Sequence, residues 1–148
     1  MRNYTDGNTF VCGLIGNPVK HTLSPYIHNA LAEMLGENLV YVPFEVLPEN
    51  VGDGIKGAFS LDILGLNVTI PHKSAVIPYL KDIDSLAKGI GAVNTLVRTK
   101  DGGYKGYNTD MTGLYRALTD EGIDVKDKVV VILGAGGVAR PAAFLCGS

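Results

Sequence analysis

The chain has 148 residues, 46% of them hydrophobic and 19% charged, with 13 basic and 15 acidic side chains giving a formal net charge of −2. This is the composition of a soluble globular protein, long enough for one domain or for one domain plus part of another. A slightly acidic balance without a dense Lys/Arg cluster argues against a nucleic-acid partner, and no apolar run reaches the roughly 20 residues of a membrane-spanning helix.

The opening stretch MRNYTDGNTF lacks the apolar segment of a secretory signal, so a cytoplasmic protein without membrane contact is expected. Cys12 and Cys146 lie far apart in apolar surroundings and point to buried thiols, with neither a disulfide framework nor a four-ligand metal site. His21, His28 and His72 fit no zinc spacing, and His28 reads as structural.

From Thr9, the run TFVCGLIG predicts a buried strand closed by Gly16, Asn17 and Pro18. Ser24 before Pro25 is the favoured order of N-cap and first helical residue, and Ile27, Ala30, Leu31, Met34 and Leu35 continue a helix that Gly36 stops. Leu39 to Leu47 predicts a second strand, at a sheet edge because Pro43 has no N–H to give a neighbour. A weak helix follows over Glu49 to Ser60, with Val51, Ile55 and Ala58 on one side. Leu64 to Thr69 predicts a third strand, and His72 to Leu80 a helix that Pro78 weakens.

Ala92 to Arg98 and Tyr104 to Tyr107 flank Lys100-Asp101-Gly102-Gly103 as a hairpin. Asp110 opens an amphipathic helix through Met111, Leu114, Ala117 and Leu118, ended by Gly122. Lys128 to Leu133 is a β-branched strand feeding a glycine-rich turn and a last helix. The alternation implies an α/β fold, a largely parallel sheet with helices on both faces, and the polar stretch from Asp120 to Lys128 is the best candidate boundary between two units.

The glycine-rich turn Gly134-Ala135-Gly136-Gly137-Val138-Ala139 fits G-x-G-x-x-G/A, where the first glycine makes the turn and the second lets a pyrophosphate approach the backbone. The alternative is a tight turn kept for packing. Upstream, GNPVKHTLSPYIHN (16–29), NVTIPHK (67–73), GAVNT (91–95) and GYNTD (106–110) all fall where strands are expected to end. Parallel strands gather those ends around one crevice. The hydroxyl and amide side chains of Thr22, Ser24, Asn67, Thr69, Asn94, Asn108 and Thr109 suit a polyhydroxylated or carboxylated small molecule. Lys73 and Asp110 are the titratable groups closing two of these motifs. By residue type alone, Lys73 reads as a surface lysine and Asp110 as a helix cap.

Together, G-N-P-V-x-H-T-L-S-P-x-x-H-N, N-V-T-x-P-x-K, G-A-V-N-T, G-x-N-T-D-x-x-G and G-A-G-G-x-x-R resemble the shikimate dehydrogenase family, in the family's order, from Cys12 to Arg140. The resemblance implies a substrate-binding domain over residues 1–108, a connecting helix and linker over 109–127, and the truncated start of an NADP-binding Rossmann domain over 128–148. It makes Lys73 and Asp110 the catalytic pair. It places Thr22 and Ser24 on the substrate carboxylate, and Asn67, Thr69, Asn94 and Asp110, beside Lys73, on the ring hydroxyls. Gly134, Ala135, Gly136, Gly137, Val138 and Ala139 become the NADP-binding turn.

The activity so implied is reversible reduction of 3-dehydroshikimate to shikimate, with Lys73 giving the proton as an ammonium and Asp110 orienting Lys73 and the reacting hydroxyl. Thr22 departs from the family's usual Ser-x-Ser and leaves the choice between shikimate and the bulkier quinate open. Two other readings remain: a shikimate- or quinate-binding fragment without turnover, and an unrelated protein using the glycine turn for another adenine cofactor. The apolar stretch from Val129 to Cys146 is expected to be sticky and to favour self-association.

Overall fold

The apolar run around Cys12 forms β1, Phe10–Gly16, and the rest of the chain is arranged about it. The computed structural model describes residues 5–147. Residues 1–4 and 148, which open and close the units expected above, lie outside the described residues. In chain order β1 is followed by α1, Ser24–Leu35; β2, Leu39–Glu45; α2, Val51–Ser60; β3, Gly65–Val68; and β4, Asp82–Ile83. Then come α3, Ser85–Ile90; β5, Thr95–Arg98; β6, Tyr104–Tyr107; α4, Asp110–Asp120; and α5, Ala139–Cys146.

The strands form one six-stranded sheet in the order β2-β1-β3-β5-β6-β4. Helical crossovers through α1 and α2 return the chain in the same direction, so β1 runs parallel to both β2 and β3. The hairpin reverses this sense: β5 is antiparallel to β3 and to β6, and the sheet is mixed, less parallel than the alternation suggested. As Pro43 required, β2 lies at the edge.

Alternation along β1 divides the core between the two faces. Ile15 joins Val51, Ile55 and Ala58 of α2, whereas Leu14 joins Tyr41 and Val19 on the side of α1. Helices therefore cover both faces, as expected. Tyr104 is fully buried in the α2-side cluster, its ring edge-on to Phe59 at 5.9 Å, and its hydroxyl donates to the Ile63 carbonyl at 2.6 Å. Tyr104→Phe keeps the ring and leaves that carbonyl unpaired in the core. A loss of about 1–3 kcal/mol is expected, read as a lower urea midpoint with unchanged slope.

Three segments differ from expectation. His72 to Leu80 is not an α-helix: it forms turns and a short 3-10 turn, Ile77–Tyr79. The Lys73 carbonyl, which a helix would turn toward Ile77, instead accepts the Val93 N–H at 2.8 Å, and Pro78 has no N–H to contribute. Next, α3 and β4 arise where none was expected. Asp84 caps α3 by accepting the Leu86 N–H at 3.0 Å, and Gly91, at φ 71°, closes it. Finally, 128–133 is not a strand. Among the described residues no strand lies beside it, and Val129 and Leu133 are 96% and 95% exposed. β-branched composition yields a strand only where a neighbour completes the ladder.

The helix after the glycine turn forms as expected, and α5 packs on α3 and α4, with Pro141 fully buried. No helix among the described residues is long and apolar enough to cross a membrane.

Candidate active site

The sheet order gathers the four upstream motifs at one edge. β1 ends there at Gly16 and β3 at Val68, while antiparallel β5 begins there beside the end of β6: Asn67 pairs in register with Thr95, and Thr95 with Tyr107. Three of the motifs leave their strands at this edge, and the fourth, 91–95, enters β5 there.

At its centre Lys73 Nζ donates to Asp110 Oδ2 at 2.7 Å, with side chains 13% and 23% exposed. Asn94 Nδ2 donates to Asp110 Oδ1 at 2.8 Å and to Thr109 Oγ1 at 2.9 Å. Both carboxylate oxygens are thus held. Asp110 is not the helix cap: Asn108 Oδ1 accepts the N–H groups of Asp110 and Met111 at 3.0 and 3.4 Å, while its Nδ2 donates to the Ala92 carbonyl. With Asn108 serving the helix end, the Asp110 carboxylate is left for Lys73.

A chain of hydrogen bonds continues from Asn94 across the sheet. Thr95 Oγ1 donates to Asn94 Oδ1 at 2.9 Å, Asn67 Nδ2 reaches Thr95 Oγ1 at 3.4 Å, and the Tyr41 hydroxyl donates to Asn67 Oδ1 at 2.8 Å. At the far end Thr22 Oγ1 donates to Ser24 Oγ at 3.1 Å. The added methyl of Thr22 therefore leaves its hydroxyl engaged with Ser24. Ser24 is the first residue of α1, with Pro25 behind it, and the preceding cap position is Leu23.

Four of the expected residues, Asn67, Lys73, Asn94 and Asp110, thus fall along one polar band, and Thr22 and Ser24 form a pair beside it, the Ser24 hydroxyl lying near Tyr41. Thr69 joins it less directly: its methyl packs where a Cβ on Gly16 would stand, and it makes no hydrogen bond to the band. Tyr41 and Thr95 were not singled out from sequence. A tyrosine inside a largely apolar strand was the available signal, since a buried phenol needs a partner.

The glycine turn meets the same site. Ala135, Gly136 and Gly137 line a cleft of about 240 Å³ with Lys73, Pro71 and Arg140. Gly134 opens the turn at φ 109°, a backbone that disfavours a side chain, and a Cβ on Gly137 would stand 3.3 Å from Lys73 Cδ. Val138 is exposed and Ala139 begins α5. Arg140 Nη1 donates to the Gly91 carbonyl at 3.1 Å, which also accepts Ser74 Oγ, so α5 is tied to the loop that carries Asn94. Among the described residues no group of three or more His, Cys, Asp or Glu stands where it could hold a metal ion. His28 stacks on Tyr41 at 4.2 Å, and buried His72 directs Nε2 to the Val46 carbonyl at 2.6 Å.

Residues 14–96, more than half of the chain, match the family described as the shikimate dehydrogenase substrate binding domain. The chain belongs to the shikimate dehydrogenase family. It is 53% identical over 139 residues to the shikimate dehydrogenase (NADP(+)) of Methanocaldococcus jannaschii, covering 94% of this chain and 49% of that protein. A crystal structure of a shikimate dehydrogenase in complex with NADP+ superimposes with a TM-score of 0.90 at 52% identity, covering 97% of this chain and 50% of the other. The Thermus thermophilus enzyme in complex with NADP(H) and shikimate gives 0.85 at 34% identity, over 94% and 52%. The chain spans about half the length of the shikimate dehydrogenases it matches.

Proposed function

We propose that this chain carries the substrate site and part of the cofactor site of an NADP-dependent shikimate dehydrogenase, which interconverts 3-dehydroshikimate and shikimate. The observation that carries this reading is the Lys73–Asp110 pair, held at 2.7 Å beside the cleft that the glycine turn lines. Thr22 and Ser24 hold the substrate carboxylate. Asn67, Thr69, Asn94 and Asp110 take the ring hydroxyls, and Lys73 stands at the reacting carbon. In the reductive direction the Lys73 ammonium gives a proton from Nζ to the carbonyl oxygen, while Asp110 and Asn94 keep that nitrogen in place.

When bound, the reduced cofactor NADPH would supply the hydride to the carbonyl carbon in the reductive direction, and NADP+ would accept it in the reverse. The residues present fit it: a Cβ on Gly134 or Gly136 would project into open space, so the backbone here leaves room for a phosphate group, and α5 begins immediately behind. Gly134 to Ala139 are the cofactor contacts in this reading, with 109–127 the connector from the substrate domain, 1–108, and 128–148 the beginning of the nucleotide unit. The free thiols Cys12 and Cys146 suit a reducing, cytoplasmic compartment.

Calorimetric titration of the chain with shikimate and, separately, with NADP, followed by an assay of NADP reduction, tests the proposal. Binding of both with turnover supports it; failure to bind shikimate overturns it. A second reading is shikimate binding without turnover. It requires shikimate binding without NADP binding.

The segment 128–133 supports self-association. Val129, Val131 and Leu133 are 96%, 76% and 95% exposed, a sheet-forming stretch that a second copy would cover. Sedimentation should show association rising with protein concentration and falling in Val131→Lys; a monomer at every concentration would exclude this contact.

A further inference from the structure

We propose that Tyr41 is a positioning residue of the substrate site, fixing the Asn67 amide so that its NH₂ is presented to a ring hydroxyl; this rests on the shikimate reading above. Tyr41 is 3% exposed, yet its hydroxyl lies on the polar band and donates to Asn67 Oδ1 at 2.8 Å. A phenol that keeps its proton is a good donor to a carbonyl oxygen. Burial, the largest influence, pushes the Tyr41 phenol up to about 12, against the opposing pull of the nearby Ser24 hydroxyl. At neutral pH the phenol is therefore protonated.

An asparagine amide has two ends of similar size and opposite sense, and a bonded neighbour decides which end faces which way. With Oδ1 claimed by Tyr41, Asn67 Nδ2 has only long contacts inside the protein, 3.4 Å to Thr95 Oγ1 and 3.5 Å to the Asn94 carbonyl. These lie beyond the usual N–H···O range, so the NH₂ retains most of its capacity to donate to a ligand. An amide turned by half a rotation would offer an acceptor in its place.

The ring is itself held from α1. Asn29 clasps the Tyr41 backbone from both sides, accepting its N–H at 2.8 Å and donating to its carbonyl at 3.0 Å. His28, one residue earlier, stacks on the ring at an interplanar angle of 8°. The α1 segment that begins with Ser24 thus also sets the group that orients Asn67, linking the carboxylate end of the site to its hydroxyl end.

Tyr41→Phe keeps the stack and the backbone clasp and removes only the hydroxyl. In the full chain, shikimate should bind roughly 3- to 10-fold more weakly. In an Asn67→Ala background the same substitution should cost nothing further, because its effect runs through Asn67. Equal loss in both backgrounds, or no loss in either, overturns the proposal. Should the wild-type chain not bind shikimate, the substrate reading fails, and the Asn67 side-chain amide resonances of the free chain decide the role of Tyr41. A shift or broadening in Tyr41→Phe supports the orienting role, and unchanged resonances overturn it.

Discussion

Lys73→Ala lowers NADP reduction at saturating shikimate by roughly 10²–10⁴-fold, the usual contribution of a positioned proton donor, in whichever form of the protein turns over in the assay above. Shikimate affinity falls far less. Nζ spends one proton on Asp110 at 2.7 Å, and the 13% of the side chain still exposed faces the cleft shared with the glycine turn. Alanine removes the group that combines a transferable proton with a carboxylate to hold it. Asp110 keeps its bond from Asn94, so the loop stays in place and the substrate hydroxyls keep most of their partners. Steady-state kinetics should show kcat and kcat/KM falling together. A raised KM with kcat intact would reduce Lys73 to a binding group, and unchanged turnover would remove it from the mechanism. Lys73→Arg should not restore the rate, since a guanidinium holds its protons too tightly to give one up.

This prediction depends on residues that the sequence alone left ambiguous. By type, Asp110 was an acceptable helix cap and Lys73 a surface lysine. The structure resolves the first because Asn108, two residues earlier, takes the N–H groups of Asp110 and Met111. Local sequence identifies a polar residue at a helix start but not which of three adjacent ones does the capping, since Asn, Thr and Asp all suit it. Tyr41 was hidden for a related reason. Which face of the sheet it occupies follows from its register with Cys12, and register is a long-range property.

The fold was most legible where chemistry acts locally. Pro43 lacks a donor, and β2 is an edge strand; Gly102 and Gly103 adopt positive φ, and the hairpin turns there. It was least legible where a distant group decides. The Lys73 carbonyl goes to Val93, and the helix expected after it is lost. Six-residue α3 is too short to show a period, although Asp84 and Gly91 bracket it. At 128–133 an apolar, β-branched run met no partner strand among the described residues.

Gly13→Ala should be the most damaging single methyl in the sheet. Gly13 lies in β1 between Val42 of β2 and Leu66 of β3, so its neighbours are backbone on both sides. A Cβ there would collide with the Val42 carbonyl oxygen and stand 2.5 and 2.8 Å from two atoms of the Phe44 ring. The ring can turn away, but Phe44 is part of the packing around the α2-side core, and the carbonyl belongs to the β1–β2 ladder. Relief therefore means parting the two strands or displacing a packed aromatic. A cost of about 2–3 kcal/mol follows from such overpacking, or roughly 5–10 °C in melting temperature for a chain of this size. Gly57→Ala is the control that separates the clash from the loss of glycine itself. Gly57 sits within α2 with no atom near its missing Cβ, and alanine there should stabilise by about 0.5–1 kcal/mol through lower backbone entropy in the unfolded chain. Opposite shifts of the two variants in one thermal melt would establish the steric cause, whereas Gly13→Ala melting with the wild type would show that β1 and β2 have room the packing does not allow for.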